Sequence, residues 1–420
     1  MRMIKKSLIL MITAVLLVLC AACGAEEEST ADTETVLHLT CWIEDMELDR
    51  LIEEFEAAHP GVTIQVKAYY DDKSDFSVAT SRMNAELATG DSVDLYYLEN
   101  TMDVMSLINV GLLADLYPLM QADESFHSDE YYENIWKAME LNGGLYEMPA
   151  GFQIGTMMGP QTLLGDRSGW TIPDYSAFAS QQSDPENLLP KSQAYMLSCM
   201  TRYAMFDYID LNNGSCSFDS ASFVKWLEFI GSFPEYVDDS IASEAQLRAG
   251  WFSGMYEYIQ RREEFGNVLQ FTGFPCDSAP GPCIETMTSF GISAQTEKTE
   301  LCWEFIKLML SQEYQEQVVA YGAFPMRKSV FESQLSASML PPEEENALVS
   351  SDSLLGPLSK DETDRLRKLV EALSIVRFRY ADVTDIIEEE AEGYFQGGKT
   401  AEDTAKVIQS RVEIYLSEHS

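Results

Sequence analysis

From Thr35 onward the spacing of apolar side chains changes period repeatedly, and each change marks an element. "TVLHLTCW" (Thr35–Trp42) is β-rich. In "MELDRLIEEFEAAH", Leu48, Leu51, Ile52, Phe55 and Ala58 recur at three- and four-residue intervals, which predicts one apolar stripe on a helix. His59-Pro60-Gly61 stops that helix, and Val62, Ile64 and Val66 then alternate as a strand. "DFSVATSRMNAELATG" fits a second helix ending at Gly90, and "SVDLYYLEN" is an apolar strand that breaks into polar residues. Strand, helix, strand, helix, strand predicts a parallel sheet with right-handed crossovers. Ligands of such sheets gather beyond the carboxyl ends of the strands. That rule singles out Trp42, Glu44 and Asp45 after the first strand, and Tyr97, Glu99 and Asn100 at the third.

Further along, "GGLYEMPAGFQIGTMMG" predicts a hairpin-like entry, a proline and a second extended run. "WFSGMYEYI" (Trp251–Ile259) reads as strand-like, and "VLQFTGFP" runs into a turn-rich loop between Cys276 and Cys283. "TELCWEFIKLMLSQEYQEQV" reads as one amphipathic helix, and "YGAFPMRKSVF" as a break with Gly and Pro. The chain closes on a packed helix in which Ala405, Ile408, Val412 and Tyr415 form one stripe, opened by Thr400-x-x-Asp403.

The first residues change the picture by placing the chain outside the cell. Arg2, Lys5 and Lys6 precede an unbroken apolar run from Leu8 to Leu19, too short to span a bilayer comfortably. This is the pattern of a secretory signal. "CAACG" resembles a bacterial lipobox, with Cys23 as the residue that is diacylated and becomes the new N-terminus; Cys20 stands where that pattern usually has Leu. Residues 23–34 carry no apolar side chain larger than Ala and several acids, so they read as a tether. Two acyl chains give stable anchoring where one does not.

The formal charge of −41 makes nucleic acid an improbable partner and disfavours anionic ligands, although a local basic pocket could override the net field. Six cysteines follow the signal region. Cys276 and Cys283 are the pair placed to bridge; the alternative is that all six are scattered buried thiols. No C-x-x-C remains after the leader, so no structural zinc is expected; no cofactor is expected either.

With these pieces in hand, the chain resembles the bacterial extracellular solute-binding proteins of ABC importers, in the family that includes the maltose-binding protein. The resemblance is carried by the lipobox, "LDRLIEEFEAAHPGVTIQV", "LATGDSVDLYYL", "GLLADLYPL", "LYEMPAGFQIGTMM", "WEFIKLMLSQEYQEQ", "YGAFPMRKS" and "YFQGGKTAEDTAKVIQSRVEIYLSE". It implies a two-lobe α/β fold of the type II periplasmic-binding-protein kind, each lobe a mainly parallel sheet flanked by helices. It further implies hinge closure on a ligand, delivery to permease subunits in the membrane, and no enzymatic activity. The expected crossings lie near Pro149–Gly151, Pro275 and Phe324–Pro325. They divide the chain into a signal peptide at 1–22, a tether at 23–34, lobe 1 at 35–149 plus 276–323, and lobe 2 at 150–275 plus 324–420.

A neutral sugar offers hydroxyls at its edge and C–H bonds on its faces, so its site needs carboxylates, amides and flat aromatics. Trp42, Tyr97, Phe152, Trp251, Tyr256 and Tyr258 are the candidate planes. Glu44, Asp45, Glu99, Asn100 and Gln153 are the candidate edges, with Arg261 beside the last aromatics. Any one aromatic is more often core than ligand contact, and Trp226 and Trp303 read as core. Two rival classes stand beside this reading. One is a secreted carbohydrate-active enzyme using paired acids, although the 69 acids mostly describe a solvated surface. The other is a surface sensor or adhesin on the same fold. None of His38, His59, His127 and His419 lies in a nucleophile-elbow context.

Overall fold

The computed structural model describes residues 35–418 except 72, 88–91, 100–101, 103, 186, 211–213, 239–244, 278–280 and 377–380, and except the side chains of 202–206 and 381. Cys23, the signal, the tether and Asn100 lie outside the described residues.

Strand β1 (Thr35–Cys41) runs parallel to β2 (Val62–Ala68) over seven register pairs, and parallel to β3 (Leu95–Leu98) on its other side. Between β1 and β2 lies helix α1 (Met46–Ala58). It forms because Asp45 caps its first amides, and Leu48, Leu51 and Phe55 are buried on one face. Ala58, expected in that stripe, is exposed. Helix α2 (Phe76–Leu87) makes the second crossover, burying Ala79, Met83 and Leu87.

The same sheet then takes in β11 (Ser289–Ile292), antiparallel to β3, and β4 (Met148–Pro149), giving the order β2-β1-β3-β11-β4. Leu37, Leu39, Phe55, Leu95, Phe290 and Phe305 pack on one face of it, and Trp42, Tyr69, Met83, Leu98 and Leu113 on the other.

The second sheet departs from the expectation of parallel strands. Its spine is β5 (Gly151–Pro160). Four strands pair antiparallel to it: β8 (Arg248–Phe252), β9 (Leu269–Phe271), β10 (Cys283–Thr286) and β12 (Phe324–Pro325). A small hairpin, β6 (Ile209–Asp210) with β7 (Ser215–Cys216), stands apart. A separate core of Trp170, Met196, Phe218, Phe223, Trp226, Ile387, Ile408 and Val412 fills this half. The predicted stripe of Ala405, Ile408, Val412 and Tyr415 is buried in it, on helix α8 (Ala401–Glu418).

Among the described residues, three segments pass between the sheets. The first is Pro149–Gly151, between β4 and β5. The second is Met287–Thr288, between β10 and β11, and not Pro275 as the sequence suggested. The reason is that Cys283–Thr286 pairs with Phe152–Gly155, so the chain stays with the second sheet twelve residues longer. The third ends in Phe324–Pro325, which pairs with Phe152 and Gly151. All three run side by side, since Ala150 N–H donates to Thr288 O at 2.8 Å and Met287 N–H to Gly151 O at 3.0 Å.

Two further expectations change. The stretch Trp251–Ile259 is strand only to Phe252; Gly254, at φ 150°, turns the chain into helix α4 (Met255–Phe265). The single helix expected from Thr299 is two, α5 (Thr299–Met309) and α6 (Gln312–Ala320), because the Ser311 hydroxyl caps the Tyr314 amide and starts a new axis.

Candidate functional site

At the carboxyl end of β1, two of the acids expected to meet ligand are engaged within the fold. Asp45 Oδ1 accepts from the amides of Glu47 at 2.9 Å and Leu48 at 2.8 Å, while its Oδ2 accepts from the Tyr97 hydroxyl at 2.7 Å. Burial pushes the Tyr97 phenol well above its ordinary range, so it is a fixed donor. The ring is buried against Phe290, with centroids 4.9 Å apart. Glu99 Oε2 accepts from the Trp42 amide at 2.8 Å and the Ile43 amide at 3.3 Å. Asp45, Tyr97 and Glu99 thus stitch the β1–α1 turn to β3.

Trp42, only 6% exposed, is likewise a support. Its indole is stacked on Tyr70, with centroids 5.0 Å apart and planes 9° apart, and Phe76 meets it edge-on at 5.1 Å. The outer rings are the ones that face solvent: Tyr70 is half-buried and Phe76 is 57% exposed. Beside them opens a cavity of about 530 Å³ lined by Ile43, Glu44, Tyr70, Asp71, Ser74 and Arg82 among others. Glu44 is exposed there. Ser74 Oγ at 2.7 Å and the Lys73 amide at 2.9 Å donate to Asp71, holding its carboxyl below the usual range. Arg82 donates to Tyr69 O at 2.9 Å. The cavity therefore offers acceptors, one cation and the Tyr70 ring at the ends of β1 and β2, with Phe76 exposed beside that ring.

On the second sheet, Gln153, Glu285 and Trp251 lie on one face. Gln153 is paired in register with Glu285, and Trp251 with Gly155, two residues along β5. Phe152 points the other way, fully buried and stacked on Phe324 with centroids 5.4 Å apart. Helix α4 separates the remaining candidates. Tyr258 is 1% exposed in the core, Tyr256 is 56% exposed on the opposite side, and Arg261 is ion-paired with Glu257 at 3.4 Å and Glu264 at 2.9 Å.

Cys276 and Cys283 are buried thiols with no disulfide between them. Phe274 pairs with Gly281, which puts Cys276 two residues inside that pairing and Cys283 two residues outside it.

Tyr70, Asp71, Phe76, Arg82 and Glu285 were not among the sequence candidates. The first two lie just beyond the carboxyl end of β2, a strand end to which the sequence reading did not apply its rule.

Bacterial extracellular solute-binding proteins match this chain over residues 50–339, more than half its length. The chain belongs to that family. The family works outside the cytoplasm, and its members bind solutes. None of the curated proteins is similar enough to count as a match. Among solved structures, the sugar-binding protein MalE of Xanthomonas citri superposes with a TM-score of 0.61 at 14% identity, over 91% of this chain and 98% of that one. An ABC substrate-binding protein of Listeria monocytogenes in complex with cycloalternan gives 0.57 at 14% identity, over 91% and 99%. A solute-binding protein of Agrobacterium radiobacter in complex with ribitol gives 0.57 at 16%, over 91% and 98%. These likenesses show the same two-lobe fold.

Proposed function

We propose that this chain is the extracytoplasmic receptor of an ABC importer and that its ligand is an uncharged saccharide closed between the two lobes. The observation that carries the reading is the cavity at the ends of β1 and β2. There Tyr70 offers a ring face, with exposed Phe76 against it edge-on, while Glu44, Asp71, Ser74 and Arg82 offer hydrogen bonds to hydroxyls. Gln153, Glu285 and Trp251 would close on the ligand from the second sheet. The sugar-binding MalE and the proteins in complex with cycloalternan and with ribitol, a polyol, support an uncharged, hydroxyl-rich ligand.

Lobe 1 comprises 35–149 plus 288–323 in this reading, and lobe 2 comprises 150–287 plus 324–420. Residues 1–22 are removed, Cys23 carries the lipid on the outer face of the cell membrane, and 23–34 tether the lobes to it. Ligand contacts made by both lobes favour the closed form, a population shift that permease subunits then recognise. A micromolar ligand supplies about 8 kcal/mol, enough to hold closure and still permit release. The role is binding, without catalysis.

Thermal unfolding of the protein against a panel of mono- and oligosaccharides, polyamines and peptides tests this. A saccharide present at about 100 times its Kd adds about 2.7 kcal/mol and raises the melting temperature. A rise produced by a peptide or polyamine, with every saccharide silent, overturns the ligand class.

A further inference from the structure

Gln315, on α6, has no exposed surface and uses its whole carboxamide on the segments that join the lobes. Its Nε2 donates to Ala150 O at 2.8 Å and to Met309 O at 3.0 Å. Its Oε1 accepts from the Met326 amide at 2.7 Å and the Arg327 amide at 3.3 Å. Ala150 is the single residue between β4 and β5, and Met326 directly follows β12. The Ala150 amide is bonded in turn to Thr288 O, in the remaining crossing. One side chain thus grips two crossings directly and the third through one further bond.

The same helix presses on the crossings a second time. A Cβ placed on Gly151 would lie 2.6 Å from Val318 Cγ1 and 2.8 Å from Phe324 O, so Val318 packs directly on the backbone one residue beyond Ala150. The helix is itself fixed to the first sheet's side of the molecule, because Met309, whose carbonyl accepts from Gln315 Nε2, ends α5, and α5 packs on β11 and α1.

We propose that Gln315 is a positioning residue of the hinge. It fixes the point about which the crossings bend, so that the lobes rotate about one axis, and the narrowness of the ligand-free ensemble depends on it. Only an amide supplies this, since both donors and acceptor are needed at one point. A side chain serving only to satisfy the end of α5 would need the bond to Met309 and none of the other three. The inference rests on the hinge-closure reading above.

The test is pulsed electron spin resonance on the full mature chain, spin-labelled at Glu53→Cys on α1 and Glu402→Cys on α8. Both positions are exposed, and half-buried Cys216 is replaced by Ser. Without ligand the parent gives one narrow inter-lobe distance. Gln315→Met at least doubles that width and weakens binding of the best saccharide about tenfold. Gln315→Glu keeps the bonds from Met326 and Arg327 and gives an intermediate width. Circular dichroism confirms that each variant is folded. A folded Gln315→Met or Gln315→Glu with the parental distribution overturns the proposal. So does a parent that is already broad, whether or not the variants fold. If the parental distance is narrow and ligand-sensitive to a peptide alone, the saccharide reading falls and the role of Gln315 stands.

Discussion

Asp45→Ala separates the two roles this carboxylate could have at the end of β1. In the structure it caps α1 through the Glu47 and Leu48 amides and accepts the Tyr97 hydroxyl at 2.7 Å. Losing an N-cap costs about 1 kcal/mol. Leaving the buried Tyr97 hydroxyl without its charged acceptor costs about 1–3 kcal/mol more, softened because Thr288 Oγ1 lies 3.4 Å away. The expected loss is therefore about 2–4 kcal/mol of folding stability. Asp45→Asn keeps the cap and a neutral acceptor, so it should lose only about 1 kcal/mol. Urea unfolding followed by tryptophan fluorescence measures both, with saccharide affinity taken by calorimetry on the same samples. If Asp45→Ala unfolds at the parental urea concentration and yet no longer binds ligand, Asp45 is a ligand contact and the stitching account is wrong.

Other substitutions distribute the loss differently. Tyr70→Ala and Phe76→Ala should each weaken saccharide binding by about 1–2 kcal/mol, a roughly 5–30-fold rise in Kd, while Trp42→Ala should chiefly destabilise the fold by about 3–5 kcal/mol; calorimetry and urea unfolding compare them. Asp94 sits 2.9 Å from Lys298 and accepts from the His38 amide and from Thr296. Burial alone would raise its carboxyl, but these partners outweigh it and hold it low. A depressed carboxylate contributes stability above its unfolded value of about 3.9 and loses it as pH falls through the lower folded value. Asp94→Asn should thus cost about 2 kcal/mol at neutral pH and progressively less below about pH 4, read as urea midpoints across pH. Arg262 and Glu362 form an ion pair at 2.7 Å with both side chains 5% exposed. Arg262→Met should cost about 3–5 kcal/mol by stranding the carboxylate, and adding Glu362→Gln should recover most of that in the same unfolding assay.

The first half of the molecule was legible in the sequence because its elements alternate periods cleanly. Leu48, Leu51 and Phe55 announced α1, and Val62, Ile64 and Val66 announced β2. The second sheet was not legible, because antiparallel partners of β5 come from residues about 90 to 170 positions later, and no local period reports such pairing. Trp251–Ile259 misled because Phe252 and Tyr258 are both buried, one on a strand and the other on a helix. The candidate site was half legible. Strand-end logic found Glu44 at the cavity, but Asp45, Tyr97 and Glu99 occupy strand ends as braces, a use that only hydrogen-bond geometry distinguishes from ligand contact.

The position of β11 has a bearing on how the chain is made. It lies between β3 and β4, so the first sheet has a gap in its middle until residue 292 is available, nearly 150 residues after β4. Contacts this distant in sequence form slowly. A nascent chain therefore cannot complete its first sheet until more than two-thirds of its 420 residues have been made.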